Sequence, residues 1–415
     1  MLIKRIYDGG MTTTSGGNLS VLDEDNNLWI TPGGIDKGTL TRADIIRVAP
    51  DGSMTGPHKP SVELPFHKLI YKTRPDIRAI IHAHPPGLVA FSNVRKIPDT
   101  GLIPNMRLVS GNVGMAEYEI PGSKELGEKI AAKFAEGCDA VMLENHGVVV
   151  GSGDLFGAFV AFETLEYCAR LEINARRIGT TRGLGDREIA ISKNKQDAAL
   201  PEFAPAYHSP AENAARRDIC ALIQRAYTQK LFTSSQGTFS QRIGADSFVI
   251  TPYEKDRRYL DIADLVLIEG GKKEEGKRPS RSVALHRHIY QKHPEINAVI
   301  IAHPPHIMAF AVTGIPFDTA TIPESYIMLR RVPVLPFGSS FMQPAMTADL
   351  FGESAPAALI ENHCIITTGE SLIKAFDRLE VAEFTANSLI ASAGLGKIVG
   401  IDDAALKKID EVFFK

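Results

Sequence analysis

Three histidines and a glutamate have the residue types and spacings from which a metal centre can be built. His82 and His84 flank Ala83 in the run IHAHPP, Ile81 to Pro86. Alternate residues of a β-strand point to one face, so this spacing turns both imidazoles the same way and lets them chelate one ion. His146 stands in the short turn ENHG, Glu144 to Gly147, and Glu63 follows Ser61 at the head of a helical stretch. Three imidazoles and a carboxylate suit Zn2+, which takes nitrogen and oxygen donors tetrahedrally, although another divalent metal is also compatible. A displaceable carboxylate leaves room for a substrate.

A second group surrounds the first. Ser15-Gly16-Gly17-Asn18 and Thr31-Pro32-Gly33-Gly34 are flexible turns whose backbone N–H groups could cradle an anion, and Ser61 adds a hydroxyl at a helix start.

The chain contains its own control, because most of these motifs occur twice in the same order. SGGNLS at Ser15 to Ser20 is answered by SQGTFS at Ser235 to Ser240, PSVELPFHKLIY from Pro60 by PSRSVALHRHIY from Pro279, IHAHPP by IIAHPP, and ENHG by ENHC. In the second copy Ser282 replaces Glu63 and Ile301 replaces His82, while His303 and His363 answer His84 and His146. Asn18 becomes Thr238 and Gly34 becomes Glu254. Metal ligands and anion donors change together, which is what a single site predicts. Cys364 beside His363 is the one thiol that could stand in as a ligand there, but no further ligand accompanies it. His67 keeps its counterpart His286 in the copy that lost the other groups, so it reads as structural.

The elements that must position these residues alternate between strand and helix. Leu28 to Ile30 reads as a strand, Ser61 as the N-cap of a helix through Tyr71, and Ala79 to His84 as an apolar strand closed by two prolines. Lys124 to Ala135 and Leu155 to Arg177 have helical periodicity, and Ala140 to Leu143 and Val148 to Val150 read as strands flanking the ENHG turn. The helix before the glycine turn is short in the first copy, Leu2 to Tyr7, and long in the second, Arg216 to Lys230. Asp197 to Asn213, rich in Ala, Pro and Ser, reads as a linker, giving domains 1–196 and 214–415 with 197–213 between them.

Composition excludes several classes. With 46 basic and 49 acidic side chains in 415 residues there is no cationic footprint for nucleic acid or an anionic membrane. Apolar runs are too short for a signal-peptide core or a bilayer span, so the expected compartment is the cytoplasm. The four cysteines form no CxxC pair and imply neither a disulfide framework nor a thiolate zinc knuckle.

The ordered set SGGNLS, TPGG, PSVE, HAHP and ENHG resembles the class II aldolase/adducin family over nearly all of both copies. The resemblance implies an α/β fold of two tandem α/β/α domains, each a central sheet covered by helices. It makes His82, His84 and His146 zinc ligands, Glu63 the acid/base catalyst that also approaches the metal, and Asn18, Gly33, Gly34 and Ser61 the phosphate pocket. Two departures stand out: family aldolases usually carry a hydroxyl residue where Gly33 stands and a second serine where Val62 stands. The family's proton-donating tyrosine falls near Tyr326 in the second copy. Its counterpart in the first is Arg107, which leaves Tyr118 as a candidate.

The implied activity is a metal-dependent aldolase, a lyase of carbohydrate metabolism that cleaves a ketose or ketose phosphate through a zinc-stabilised enediolate. The alternatives are an epimerase, in which Asp would be expected at position 63, a decarboxylase of the same superfamily, or a non-catalytic adducin-like binding protein. Family aldolases are ring tetramers, so the expected assembly is a homo-oligomer: a dimer of tandem chains placing four domains in pseudo-fourfold array.

Overall fold

The computed structural model describes residues 2–414. The chain divides into two compact units, Met1–Thr100 with Asn105–Arg170 and Gly101–Pro104 with Leu171–Lys415.

In the first unit the strands are β1 (Asn18–Leu22), β2 (Leu28–Ile30), β3 (Ile46–Val48), β4 (Met54–Thr55), β5 (Ala79–Ala83), β6 (Val113–Ala116), β7 (Ala140–Leu143) and β8 (Gly147–Ser152). They form one sheet in the order β4-β3-β2-β1-β5-β8-β7-β6. All pairs are antiparallel except β6 with β7. In the second unit they are β9 (Glu202–Phe203), β10 (Thr238–Gly244), β11 (Ser247–Ile250), β12 (Val266–Glu269), β13 (Lys272–Glu274), β14 (Ala298–Ala302), β15 (Val334–Leu335), β16 (Ala357–Ile360) and β17 (Cys364–Gly369). Their order, β15-β16-β17-β14-β10-β11-β12-β13-β9, repeats the first sheet and adds β9 at one edge. The duplication read in the motifs is thus a duplication of topology.

Each sheet carries helices for the reason its residues suggest. β5 and β14 are buried at every position, as strands covered on both faces must be. In the first unit Phe66, Ile70 and Tyr71 of helix Leu64–Thr73 and Leu126, Ile130 and Phe134 of helix Lys124–Ala135 pack on Ile30, Ile80, Val141 and Val149. In the second, Val283, Leu285, Ile289 and Tyr290 of helix Val283–Lys292 cover Ile250, Val299, Ile301 and Ile366.

Two local expectations shift. The helix after Ser61 begins only at Leu64 and runs to Thr73, with Glu63 in the N-cap position. Pro65 lacks an N–H and is confined to the first turn, while Ser61 heads a preceding turn in which its carbonyl accepts from Leu64 N at 3.1 Å. The segment 197–213 is docked within the second unit: β9 pairs in parallel with β13, and Ala198 and Leu200 pack against that unit's core. Ser209 caps the long helix Pro210–Thr228 by accepting from Glu212 N. Among the described residues no helix is long and apolar enough to cross a membrane.

Candidate metal centre and its surroundings

Strand register brings the chemistry together. In the β1–β5 pairing Asn18 lies directly opposite His82, and Ser20 opposite Ile80, so Asn18, Ser20 and His82 share one face. His82 is fully buried, and its Nδ1 lies 3.0 Å from the carbonyl of Val148. That carbonyl accepts only, so Nδ1 carries the proton and Nε2 keeps its lone pair. His84 follows the strand end, with its Nε2 3.1 Å from His82 Nε2.

His146 is delivered by the β7–β8 turn. Asn145 adopts a positive φ of 55°, a conformation that Asn tolerates better than most residues. The Asn145 amide is held by Arg95 Nη2 at 3.1 Å and itself donates to Asn93 Oδ1 at 3.2 Å. At Gly147 a Cβ would fall 2.4 Å from the Ala83 carbonyl and 2.7 Å from the His84 ring, so only glycine lets this turn close on the strand end.

The three ring centroids are 4.8–4.9 Å apart, and one ring nitrogen from each histidine lies within 4.8 Å of the others. Burial holds these imidazoles neutral: His82 is pushed down to about 3, with His146 adding to the effect, and His84 to about 4. His146 is lowered too, by burial first and against the pull of Glu63. Three neutral nitrogen donors beside a carboxylate fit a divalent cation, because the lone pairs are available without displacing protons.

Glu63 is 6% exposed and lies against this triad, with Oε2 3.3 Å from His82 Nε2 and Oε1 3.7 Å from His146 Nε2. It is oriented from behind. Asn18 Nδ2 donates to Glu63 Oε2 at 2.6 Å and to Ser61 Oγ at 3.1 Å. Asn18 Oδ1 lies 2.5 Å from His67 Nε2, and His67 Nδ1 lies 2.7 Å from Ser20 Oγ, which also meets the Tyr71 hydroxyl at 2.7 Å. An amide oxygen only accepts, so His67 Nε2 donates to it and the Ser20 hydroxyl donates to Nδ1. His67, expected as structural, therefore sets which way the Asn18 amide points.

The TPGG turn lies against Ser61: a Cβ on Gly33 would sit 3.3 Å from the Pro60 carbonyl. The Gly33 N–H already donates to Lys59 O at 3.2 Å, and Gly34, at positive φ, is exposed. Val62, at the position of the absent second serine, is 75% exposed. Tyr118 is 53% exposed, and its backbone N–H donates to Glu144. Among the described residues no hydrogen bond ties its hydroxyl to the triad.

Two matched pairs of positioning residues lie outside these motifs. Lys37 is fully buried and donates to the Pro32 carbonyl at 2.7 Å, pinning the TPGG turn, and Arg257 does the same to Pro252 at 3.1 Å in the second copy. Glu166 accepts from Gly87 N at 3.1 Å and Leu88 N at 3.0 Å, and Glu383 accepts from His306 N and Ile307 N. Each carboxylate anchors the helix that follows the double proline. Recurrence of these charges at matched positions was the signal that could have found them.

Residues 2–173 match the sequence model of the class II aldolase and adducin N-terminal domain, and residues 217–390 match it again. The chain belongs to the class II aldolase and adducin family. Among its relatives is 5-deoxy-D-ribulose 1-phosphate aldolase of Bacillus thuringiensis serovar kurstaki, 30% identical over 45% of this chain and 87% of that protein. The 3-oxo-tetronate 4-phosphate decarboxylase of Haemophilus influenzae is 32% identical over 46% of this chain and 92% of its own length. The L-fuculose phosphate aldolase of Methanocaldococcus jannaschii is 34% identical over 41% and 92%. Each relative spans about half of this chain, as a tandem member of the family requires.

The second family domain keeps the scaffold and changes the pocket. Ser240 meets His286 Nδ1 and the Tyr290 hydroxyl at 2.6 Å each, repeating the Ser20–His67–Tyr71 cluster. Thr238 bonds Ser280 at 2.8 Å, and His286 Nε2 has no hydrogen-bond partner among the described residues. The His303 and His363 rings are 6.3 Å apart. Cys364 is fully buried and its thiol is pushed up to about 12, mainly by that burial, so it stays protonated at neutral pH.

Proposed function

We propose that residues 1–196 form a metal-dependent lyase domain of the class II aldolase type, acting on a small sugar or sugar phosphate, and that residues 214–415 form a second domain with an altered pocket. The observation that carries this reading is the buried Glu63 carboxylate, within 3.3–3.7 Å of two imidazoles of the His82, His84 and His146 triad. His82, His84 and His146 would hold Zn2+ or another divalent ion. Such an ion, when bound, polarises a substrate carbonyl and offsets the negative charge left when a carbon–carbon bond breaks.

The chain's own groups do the rest. Glu63 moves the proton at its Oε2, a role suited to a carboxylate turned toward the reacting centre by Asn18. Ser61, with Asn18 and the Gly33–Gly34 turn, lines the place where a phosphate or terminal hydroxyl would sit. The Gly33 N–H is engaged elsewhere, so that end of the substrate would be held chiefly by Ser61 and Asn18.

A decarboxylase is the second reading, favoured by the 32% identity to the Haemophilus influenzae 3-oxo-tetronate 4-phosphate decarboxylase. Both reactions leave negative charge beside a carbonyl, so one triad serves either. Within this reading the protein is a cytoplasmic homo-oligomer, and sedimentation of the full chain as a monomer at micromolar concentration would contradict that part.

The deciding experiment incubates metal-loaded full-length protein with ketose phosphates and free ketoses, following aldehyde release. In parallel, 3-oxo acid phosphates are tested for carbon dioxide release. Aldehyde from a ketose assigns the aldolase, and carbon dioxide alone assigns the decarboxylase. Neither product would reject a lyase and leave the epimerase and binding-protein alternatives.

A further inference from the structure

The second domain's pocket contains a charged residue that has no equivalent in the first. Lys195 lies within the second compact unit, just before the docked segment 197–213, and is held there by β9, by Ala198 and Leu200 against the core, and by Arg281 Nη1, which donates to the Lys195 carbonyl at 3.4 Å. Its side chain turns inward. Nζ lies 4.9 Å from the centroid of the Phe341 ring, which in turn packs 5.4 Å from His363. His286, His363 and the Cys364 thiol all feel the ammonium electrostatically. Burial brings Lys195 down to about 8, with Arg281 adding to the effect, so it is mostly cationic at neutral pH.

No carboxylate among the described residues pairs with this ammonium. The position that carries Glu63 in the first domain carries Ser282 here. Asp197 and Glu254, the acidic groups at the rim, are both held by Arg278, Glu254 at 3.1 Å. The Arg281 guanidinium stacks 4.7 Å over the Tyr253 ring. Arg281 stands between Ser280 and Ser282, whose hydroxyls meet at 3.0 Å, Thr238 meets Ser280 at 2.8 Å, and Ser340 meets His363 at 3.0 Å. The Gln236 side chain is buried, and among the described residues neither its oxygen nor its nitrogen is hydrogen-bonded. A partly desolvated ammonium with no carboxylate partner recruits a counter-ion.

We propose that the second domain's pocket is a metal-independent oxyanion site, in which Lys195 and Arg281 bind the phosphate or carboxylate group of a small metabolite. This goes beyond the lyase reading and does not depend on it. The first pocket gathers neutral imidazoles around a carboxylate and takes a cation. The second gathers neutral imidazoles and hydroxyls around an ammonium and takes an anion.

The test titrates chelator-treated full-length protein calorimetrically with inorganic phosphate and, in parallel, with acetate, to tell phosphate from carboxylate recognition. The titrations are run in S61A protein, which removes the first domain's own anion contact, and binding should be seen there. It should weaken at least about tenfold when K195M is added, as loss of a charge-assisted bond implies, and persist with K195R. Binding unchanged by K195M, or no binding of either anion in the S61A protein, would overturn the proposal. A second measurement needs no variant. Acetylation of Lys195, followed by mass spectrometry in the wild-type protein, should be slowed by the bound anion relative to the exposed Lys193. Equal rates with and without both anions would also overturn it.

Discussion

The two pockets of this chain are built on sheets with the same strand order, yet they carry opposite charge. In the first, Asn18 faces His82 across β1 and β5, and Glu63 reaches two imidazoles. In the second, Thr238 faces Ile301 in the same register, Ser282 stands in the glutamate's place, and the Lys195 ammonium lies over the Phe341 ring that packs on His363. The difference teaches that this fold is maintained by what both copies share: the Ser–His–Tyr clusters, the buried Lys37 and Arg257, and the Glu166 and Glu383 anchors. What the copies do not share belongs to ligand chemistry.

The sharpest way to break that comparison is to count metal. Wild-type protein loaded with Zn2+ and freed of excess should hold about one ion per chain, and H84A almost none, because zinc sites need about three protein donors. H303A should leave the count unchanged. Elemental analysis giving two ions per chain, or full metal in H84A, would place the metal elsewhere.

Next in size is the carboxylate. E63Q keeps the shape of the side chain and can still meet Asn18, but it cannot accept a proton. Turnover should fall by a factor on the order of 10² or more while folding and metal content persist. Unchanged turnover would show that a different group moves the proton.

The grouping of the three histidines was legible in the sequence because they sit at a strand end and in a tight turn. There the period of two and a short motif fix geometry within a few residues, as HAHP and ENHG did. The duplication made the reading stronger, since Ile301 and Ser282 marked His82 and Glu63 as the variable pair. Roles that depend on how a helix is seated on a distant strand were not legible. The His67–Asn18 bond joins residues 49 apart in sequence, and only the placing of helix Leu64–Thr73 over β1 brings them together. Lys195 was hidden in the same way. It falls at the end of the 1–196 domain as read from the sequence, and only the docking of Ala198 and Leu200, just after it, brings it to the second unit.

Acid should loosen both copies, since buried histidines are depressed in each, and metal should separate them at a smaller scale. Burial depresses His286 to about 3 and His303 to about 4. A histidine whose pKa is lower folded than unfolded stabilises the fold fully above about 6.5 and loses that contribution as pH falls toward the folded value. Between pH 7 and 5.5 each should cost roughly 1 kcal/mol, enough to speed hydrogen exchange in β14 by tens of fold together, beyond the intrinsic pH effect. Added Zn2+ should protect β5 and leave β14 unchanged. Equal metal protection of both strands would remove the asymmetry.

The smallest effect tests the comparison one residue at a time. Asn18 uses both ends of its amide, accepting from His67 and donating to Ser61 and Glu63. Threonine offers one hydroxyl, and Thr238 shows where it goes: to the neighbouring serine, with the histidine's Nε2 left without a partner among the described residues. N18T should therefore keep the Ser61 contact and the metal while releasing Glu63 from its orientation. Turnover should fall roughly tenfold, the scale of a hydrogen bond to a charged group, with a smaller change in KM. T238N in the second domain should leave turnover as it was. Loss of metal in N18T would mean that Asn18 supports the imidazoles rather than the carboxylate. Equal losses in N18T and T238N would mean that both pockets serve one reaction.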